Sequence, residues 1–131
     1  QKTGGKIHLP GLPDLRFDTP TRFGGLGRYA CADQLFLSSL AACLIATFLY
    51  FQRKLQFTPV RVEANVKAKI ALVGGRGYRF SGAKAILLVM SKKDDLAVAR
   101  RCAELAVTCC HLTQTVGEAV PISVKSQVRV C

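Results

Sequence analysis

An α+β domain is the fold class that these 131 residues predict, and three features carry the prediction. The first is an apolar segment from Leu35 to Phe51, 17 residues without a charge. The second is a stretch from Val60 to Leu72 that alternates for most of its length. It is followed by the glycine turn Gly74–Gly77 and a returning run from Tyr78 to Met90, so the three read as a β-hairpin. The third begins near Asp94, where Leu96, Ala99, Ala103 and Ala106 recur at spacings of three and four and mark an amphipathic helix to about Cys109. Half of the residues are hydrophobic, and one domain over 1–131 is large enough to bury its own core.

Taken in order, residues 1–30 are rich in Gly and Pro, with an alternating piece at Leu15-Arg16-Phe17-Asp18; they predict a strand or hairpin and then a glycine loop. The helix from Asp33 to Phe57 carries only Ser38, Ser39, Thr47 and the Tyr50 phenol as polar groups between Leu35 and Phe51. Its faces are apolar nearly all round, so it is expected to be buried on every side. Seventeen residues fall short of the ~20 needed to span a bilayer, which favours a protein core over a membrane. Pro59 stops the helix. In the strand that follows, Val60, Val62, Ala64, Val66, Ala68, Ile70 and Leu72 share one face, and Arg61, Glu63, Asn65, Lys67 and Lys69 share the other. Ser91 is a cap candidate for the next helix. Cys110 to Val116 predicts a bend and a short helix ended by Gly117, and Pro121 opens a last strand with Ile122, Val124, Val128 and Val130 on one face. The expected architecture is an antiparallel sheet with helices on one side, around a long buried central helix. One sheet cannot cover every side of that helix, and the economical cover is a second copy of the chain in an intertwined homodimer.

The net charge of +11 raises nucleic acid as a partner. Ten Lys or Arg and a single acid, Glu63, lie between Arg53 and Lys93, but Arg61, Lys67 and Lys69 alternate with apolar residues and suit the solvated face of a sheet. Gln1 to Pro10 contains no apolar core of a cleavable leader. Six cysteines without a secretory context read as thiols of a reducing compartment, so a cytoplasmic protein is expected.

Two cysteines stand out by position, Cys43 within the apolar helix and Cys110 after the second helix. Cys102, beside Ala99 and Ala103, suits a small core residue. Of the neighbours Cys109 and Cys110, one is expected to serve packing, and nothing marks Cys31 or Cys131. Cys109-Cys110-His111 lacks the second ligand pair that a structural zinc site uses, so no metal or other cofactor is expected. A thiol nucleophile with a base needs His8 or His111; a dyad is possible, but no carboxylate spacing marks either histidine as oriented.

ADQLFLSSLAACLIATFLYF resembles the signature helix of the OsmC/Ohr superfamily, the osmotically inducible and organic hydroperoxide resistance proteins, in which P-E-(E/Q)-L-(F/L) leads into A-A-C. CHLTQTV is similar to the second-cysteine motif, C-P-x-S-x-x-L, and DTPTRFGGLG to the loop T-P-x-E-x-G-G-x-G, with Arg22 in place of the acid. The resemblance implies an OsmC-like fold over the whole chain and a thiol peroxidase acting on organic hydroperoxides. Cys43 would be the attacking thiolate and Cys110 the partner that closes a disulfide, which a lipoyl- or thioredoxin-type dithiol would reduce. Burial raises a thiol's pKa, so a cation or hydrogen bonds must offset it. The resemblance implies that this cation comes from the partner subunit's N-terminal strand and is held by an acid at the start of the long helix. Asp33 takes the place of that acid, which is a glutamate in the family. Lys6 of Thr3-Gly4-Gly5-Lys6 takes the place of the family arginine without its planar fork, and Arg16, Arg22 and Arg28 are reserves.

Two other readings remain. The same dimer could lack peroxidase activity and bind a small apolar or thiol-bearing ligand. Alternatively, Arg76-Gly77-Tyr78-Arg79-Phe80 resembles half of an RNA-recognition signature, against the plainer reading of a glycine turn with strand aromatics in the core.

Overall fold

The N-terminal residues form a strand pair held by one buried carboxylate. In the computed structural model, which describes residues 2–131, β1 (Gly4–Ile7) pairs antiparallel with β2 (Leu15–Asp18), and a 3-10 turn follows at Thr21–Phe23. Asp18 is 1% exposed. It accepts from Thr3 Oγ1 at 2.6 Å, from the Thr19 N–H at 2.8 Å, from the Arg28 N–H at 3.1 Å and from Arg28 Nε at 2.7 Å. Those donors hold its carboxyl well below the usual carboxylate range, the Thr3 hydroxyl foremost and Arg28 next, against an opposing cost of burial. The glycine loop closes tightly here. A Cβ on Gly25 would stand 1.9 Å from the Thr19 carbonyl oxygen, so only glycine fits.

These residues, up to Ser38, make one compact unit, and the chain from Ser39 onward makes a second. The helix α1 (Ala32–Leu55) starts in the first and continues in the second. Its start is built by Gln34, whose Oε1 accepts the Cys31 N–H at 2.9 Å, half of a capping box, with Asp33 adding negative charge to the first turn. Arg53 and Lys54 sit in the last turn, where positive charge suits the helix dipole.

In the second unit β3 (Arg61–Val73) and β4 (Gly77–Ser91) form the long hairpin, and β5 (Ile122–Val130) lies against β4. Between β4 and β5 come a 3-10 turn at Lys93–Asp95, α2 (Leu96–Cys109) and α3 (His111–Gly117). The α+β class stands, but the sheet is mixed: β5 runs parallel to β4, with Ala85 opposite Val124 and Val89 opposite Val128. The two intervening helices carry the chain back across the sheet before β5 begins, and such a crossover delivers a parallel strand where a hairpin would deliver an antiparallel one. Ser91 does not cap α2; it ends β4, and its hydroxyl donates to the Lys92 carbonyl.

The core lies on one face of the sheet. Leu87 and Val89 of β4 meet Phe48 of α1 and Ala99, Cys102, Ala103 and Ala106 of α2. A second cluster joins Cys43 and Leu44 of α1 to Ala85 and Cys110, with Val66 and Val124 packed against it. On the other side of β3, Arg61, Lys67 and Lys69 are exposed, as the alternation predicts. The predicted apolar face stops short: Ile70 and Leu72, beyond the register irregularity at Lys69/Ile70, are exposed, and so is Tyr78 at the far end of the hairpin. Only the base of the hairpin meets the helices that bury Ala85, Leu87 and Val89.

The expectation of a helix covered on all sides also changes. Within one chain α1 buries Leu40, Cys43, Leu44 and Phe48, while Ser39, Ala42, Ala46 and Tyr50 form an exposed stripe. By length and composition alone α1 could cross a membrane, yet its buried residues are packed against sheet and helix. A three-stranded sheet and α2 reach only that side.

Candidate functional site

Along α1, Cys43 falls at the border between the buried side and the exposed stripe, because Leu40 and Leu44 precede and follow it on the buried side and Ala42 and Ala46 on the exposed one. Its thiol is therefore largely covered, at 8% exposure, but opens onto a cleft of about 630 Å³. Ser39, Ala42, Ala46, Thr47, Tyr50 and Phe51 form the helix wall of that cleft, and Cys109, His111 and Leu112 form the other. The lining is mostly apolar and contains no carboxylate, lysine or arginine.

The second wall exists because α2 and α3 meet at a sharp bend. Cys110 adopts an extended backbone (φ −65°, ψ 104°) between the two helices, while its N–H still donates to the Ala106 carbonyl at 3.0 Å and closes α2. The Gln114 N–H then donates to the Cys110 carbonyl at 3.1 Å and opens α3. The bend turns the Cys110 side chain into the core at 0% exposure and leaves Cys109 and His111, on either side of it, facing outward.

Three groups surround the Cys43 sulfur. Nδ1 of His111 lies 3.6 Å from Sγ, and Oγ1 of Thr47 lies 4.0 Å away. Thr47 donates its own proton to the Cys43 carbonyl at 2.7 Å, which leaves its oxygen as an acceptor toward the thiol. Cys110 belongs to the same buried cluster, and its thiol is electrostatically linked to Cys43. Burial pushes the Cys110 thiol up, two hydrogen bonds from Thr113 pull it down, and the neighbouring Cys43 raises it again.

Of the four residues picked from the sequence, Cys43 and Cys110 come together, although 67 positions separate them. Lys6 and Asp33 belong to the first unit: Lys6 is an exposed residue of β1 opposite Arg16, and Asp33 lies in the first turn of α1. No ion pair joins those two among the described residues of a single chain. Among the reserves, Arg28 gives its Nε to Asp18 and Arg16 reaches the Tyr29 hydroxyl at 3.1 Å. Cys102 is the core residue expected, fully buried and donating to the Phe48 carbonyl at 3.2 Å. All six cysteines are free thiols, and among the described residues no group of three or more His, Cys, Asp or Glu side chains converges as a metal site.

His111 is what the sequence did not single out. Residue spacing cannot pair a histidine with a thiol 68 positions away, but its place beside Cys110 was a usable signal. A bend that carries Cys110 to Cys43 carries the adjoining side chain along with it.

The sequence matches the family model for OsmC-like proteins over residues 25–125, most of its length. The chain belongs to the OsmC-like protein family. No curated protein sequence matches it. Among solved structures, this OsmC-like chain is similar to an organic hydroperoxide resistance protein OsmC from Legionella pneumophila, with a TM-score of 0.68 at 15% identity over 96% of this chain and 97% of that one. An OsmC-like protein from Mycoplasma pneumoniae gives 0.73 at 16% identity over 91% and 84%. An organic hydroperoxide resistance protein from Elizabethkingia anophelis gives 0.72 at 14% identity over 98% of both chains. At these identities the likeness is one of fold, and the OsmC-like fold of this chain rests on it together with the family match.

Proposed function

We propose that this OsmC-like chain is a thiol-dependent peroxidase that reduces organic hydroperoxides through Cys43 and Cys110. The observation that carries the reading is the pairing of those two thiols in one buried cluster, with only Cys43 open to an apolar cleft. The hydroperoxide resistance proteins of like fold support it. An alkyl hydroperoxide has an apolar body suited to the Ala42, Ala46, Phe51 and Leu112 surface and a polar end that must reach Cys43.

The Cys43 thiolate attacks one peroxide oxygen, the O–O bond breaks, and the remaining oxygen leaves as an alcohol after taking up a proton. Cys43 is oxidised to the sulfenic acid. The Cys110 sulfur then attacks the Cys43 sulfur, water departs, and a disulfide forms. An external dithiol of lipoyl or thioredoxin type exchanges with that disulfide and restores both thiols. Burial keeps Cys110 protonated until the sulfenic acid exists, so the two cysteines do not compete for the first step.

The working form is a homodimer whose second copy covers the exposed stripe Ser39, Ala42, Ala46 and Tyr50 and roofs the cleft. Asp33 and a cation of the N-terminal strand, Lys6 first, complete the site across the two-fold axis. Six free thiols suit a reducing cytoplasm. The same cleft favours one second reading, a dimer that binds a small apolar or thiol-bearing ligand without turning over peroxide.

Consumption of cumene hydroperoxide in the presence of dihydrolipoamide separates the two. The peroxidase reading expects catalytic consumption by the native protein, none by Cys43→Ser, and a single turnover by Cys110→Ser. Equal consumption by Cys43→Ser and the native protein would overturn it, and no consumption by either would leave the ligand-binding reading in its place.

A further inference from the structure

We infer that His111 is a catalytic residue of this site: it takes the proton from Cys43 to form the thiolate and returns that proton to the departing oxygen. The inference deepens the peroxidase reading and rests on it for the second half of the sequence. The first half, activation of the thiol, stands on geometry alone.

The geometry is specific. Nδ1 of His111 lies 3.6 Å from Cys43 Sγ, within hydrogen-bonding range for sulfur. The groups that face the pair are Thr47, Tyr50 and Cys109 in the cleft and Cys110 behind it. None of them can carry positive charge. Within one chain, His111 is thus the one side chain lining the cleft, among the described residues, that can balance a thiolate. A buried anion without a counter-charge is costly, and a cation at hydrogen-bonding distance is the usual means of offsetting that cost. Within a single chain the ring is exposed, which gives it a route to exchange protons with water at the mouth of the cleft.

His111 stands where the second-cysteine motif C-P-x-S-x-x-L carries proline, a residue that can neither accept nor donate a proton from its side chain. Cys110 fixes its position, since the extended backbone at that residue starts α3 with His111 beside the Cys43 sulfur. The step balances within the site. The thiol proton moves to Nδ1, giving thiolate and imidazolium. The thiolate attacks and the O–O bond breaks. The alkoxide then takes the proton back from the imidazolium and leaves as alcohol, with Cys43 oxidised by two electrons and the peroxide reduced by two.

Alkylation by iodoacetamide, read at Cys43 by peptide mass mapping, tests the pair without any peroxide. His111→Gln keeps a hydrogen-bonding group but no charge. It is expected to slow Cys43 alkylation at pH 7 severalfold, because the thiolate loses the cation at hydrogen-bonding distance. His111→Lys keeps a cation and should alkylate near the native rate, yet consume peroxide more slowly than native because lysine is a poor match for returning the proton near neutrality. Thermal melting of both variants guards against a folding defect. Native-rate alkylation in His111→Gln would overturn the inference, as would equal slowing in Gln and Lys variants that melt like the native protein. If the native protein alkylates fast and His111→Gln slowly while neither consumes peroxide, the pair stands and the peroxidase reading falls.

Discussion

At the scale of single residues, the cysteines of this chain divide by what burial does to each thiol. Cys102 is enclosed by Phe48, Ala99 and Ala103, hydrogen-bonds to a carbonyl, and has its thiol pushed up to about 11 by that burial. At pH 8 only about one part in a thousand of it is thiolate, which is the reactive form. Iodoacetamide at pH 8 is therefore expected to modify the exposed Cys109 and Cys131 long before Cys102, which stays intact until denaturant is added. Mass mapping over a time course checks this, and early labelling of Cys102 in the folded protein would contradict it. This role was legible in the sequence, because an alanine-lined helix face has a period that can be read off. The setting of Cys43 was legible through its apolar helix and the family motif, whereas His111 was not, because proximity across 68 positions is made by the bend at Cys110 and leaves no spacing to find.

At the scale of elements, the hairpin, α1, α2, α3 and the last strand all follow from periodicity and punctuation. The direction of β5 does not. Alternation of Ile122, Val124 and Val128 says that a strand exists and which face is apolar, but gives no sign of the neighbour's direction, which the α2–α3 crossover decides. The N-terminal strand pair depends on chemistry that a pattern also hides, the four donors gathered on Asp18. Its carboxyl titrates far lower in the folded chain than the ordinary ~3.9, so its contribution is present in full above pH 4 and drains away as acid protonates it. Amide exchange at Thr19, Leu26 and Arg28, whose N–H groups bond to Asp18 or to Thr3, should accelerate relative to the rest of the chain as pH falls below about 4. Asp18→Asn should produce that local loosening already at pH 7. Unchanged protection in the variant would show that the network contributes little.

At the scale of the whole molecule, an apolar helix that one chain covers on a single side asks for a partner surface. The sequence announced the surplus of apolar surface, and the structure locates it on Ser39, Ala42, Ala46 and Tyr50, beside the cleft. Small residues there allow close approach of another helix, so sedimentation at micromolar concentration is expected to give a dimer, and Ala46→Arg is expected to weaken it. A native monomer would remove the roof from the proposed site. The central claim is narrower, that Cys43 and Cys110 work as a redox pair, and one measurement addresses it directly. The native protein is treated with a stoichiometric amount of cumene hydroperoxide, free thiols are blocked, and the peptides are mapped without reduction. The account predicts a disulfide joining Cys43 and Cys110. Cys43 left reduced, or oxidised to sulfinic acid with Cys110 still a thiol, would contradict it.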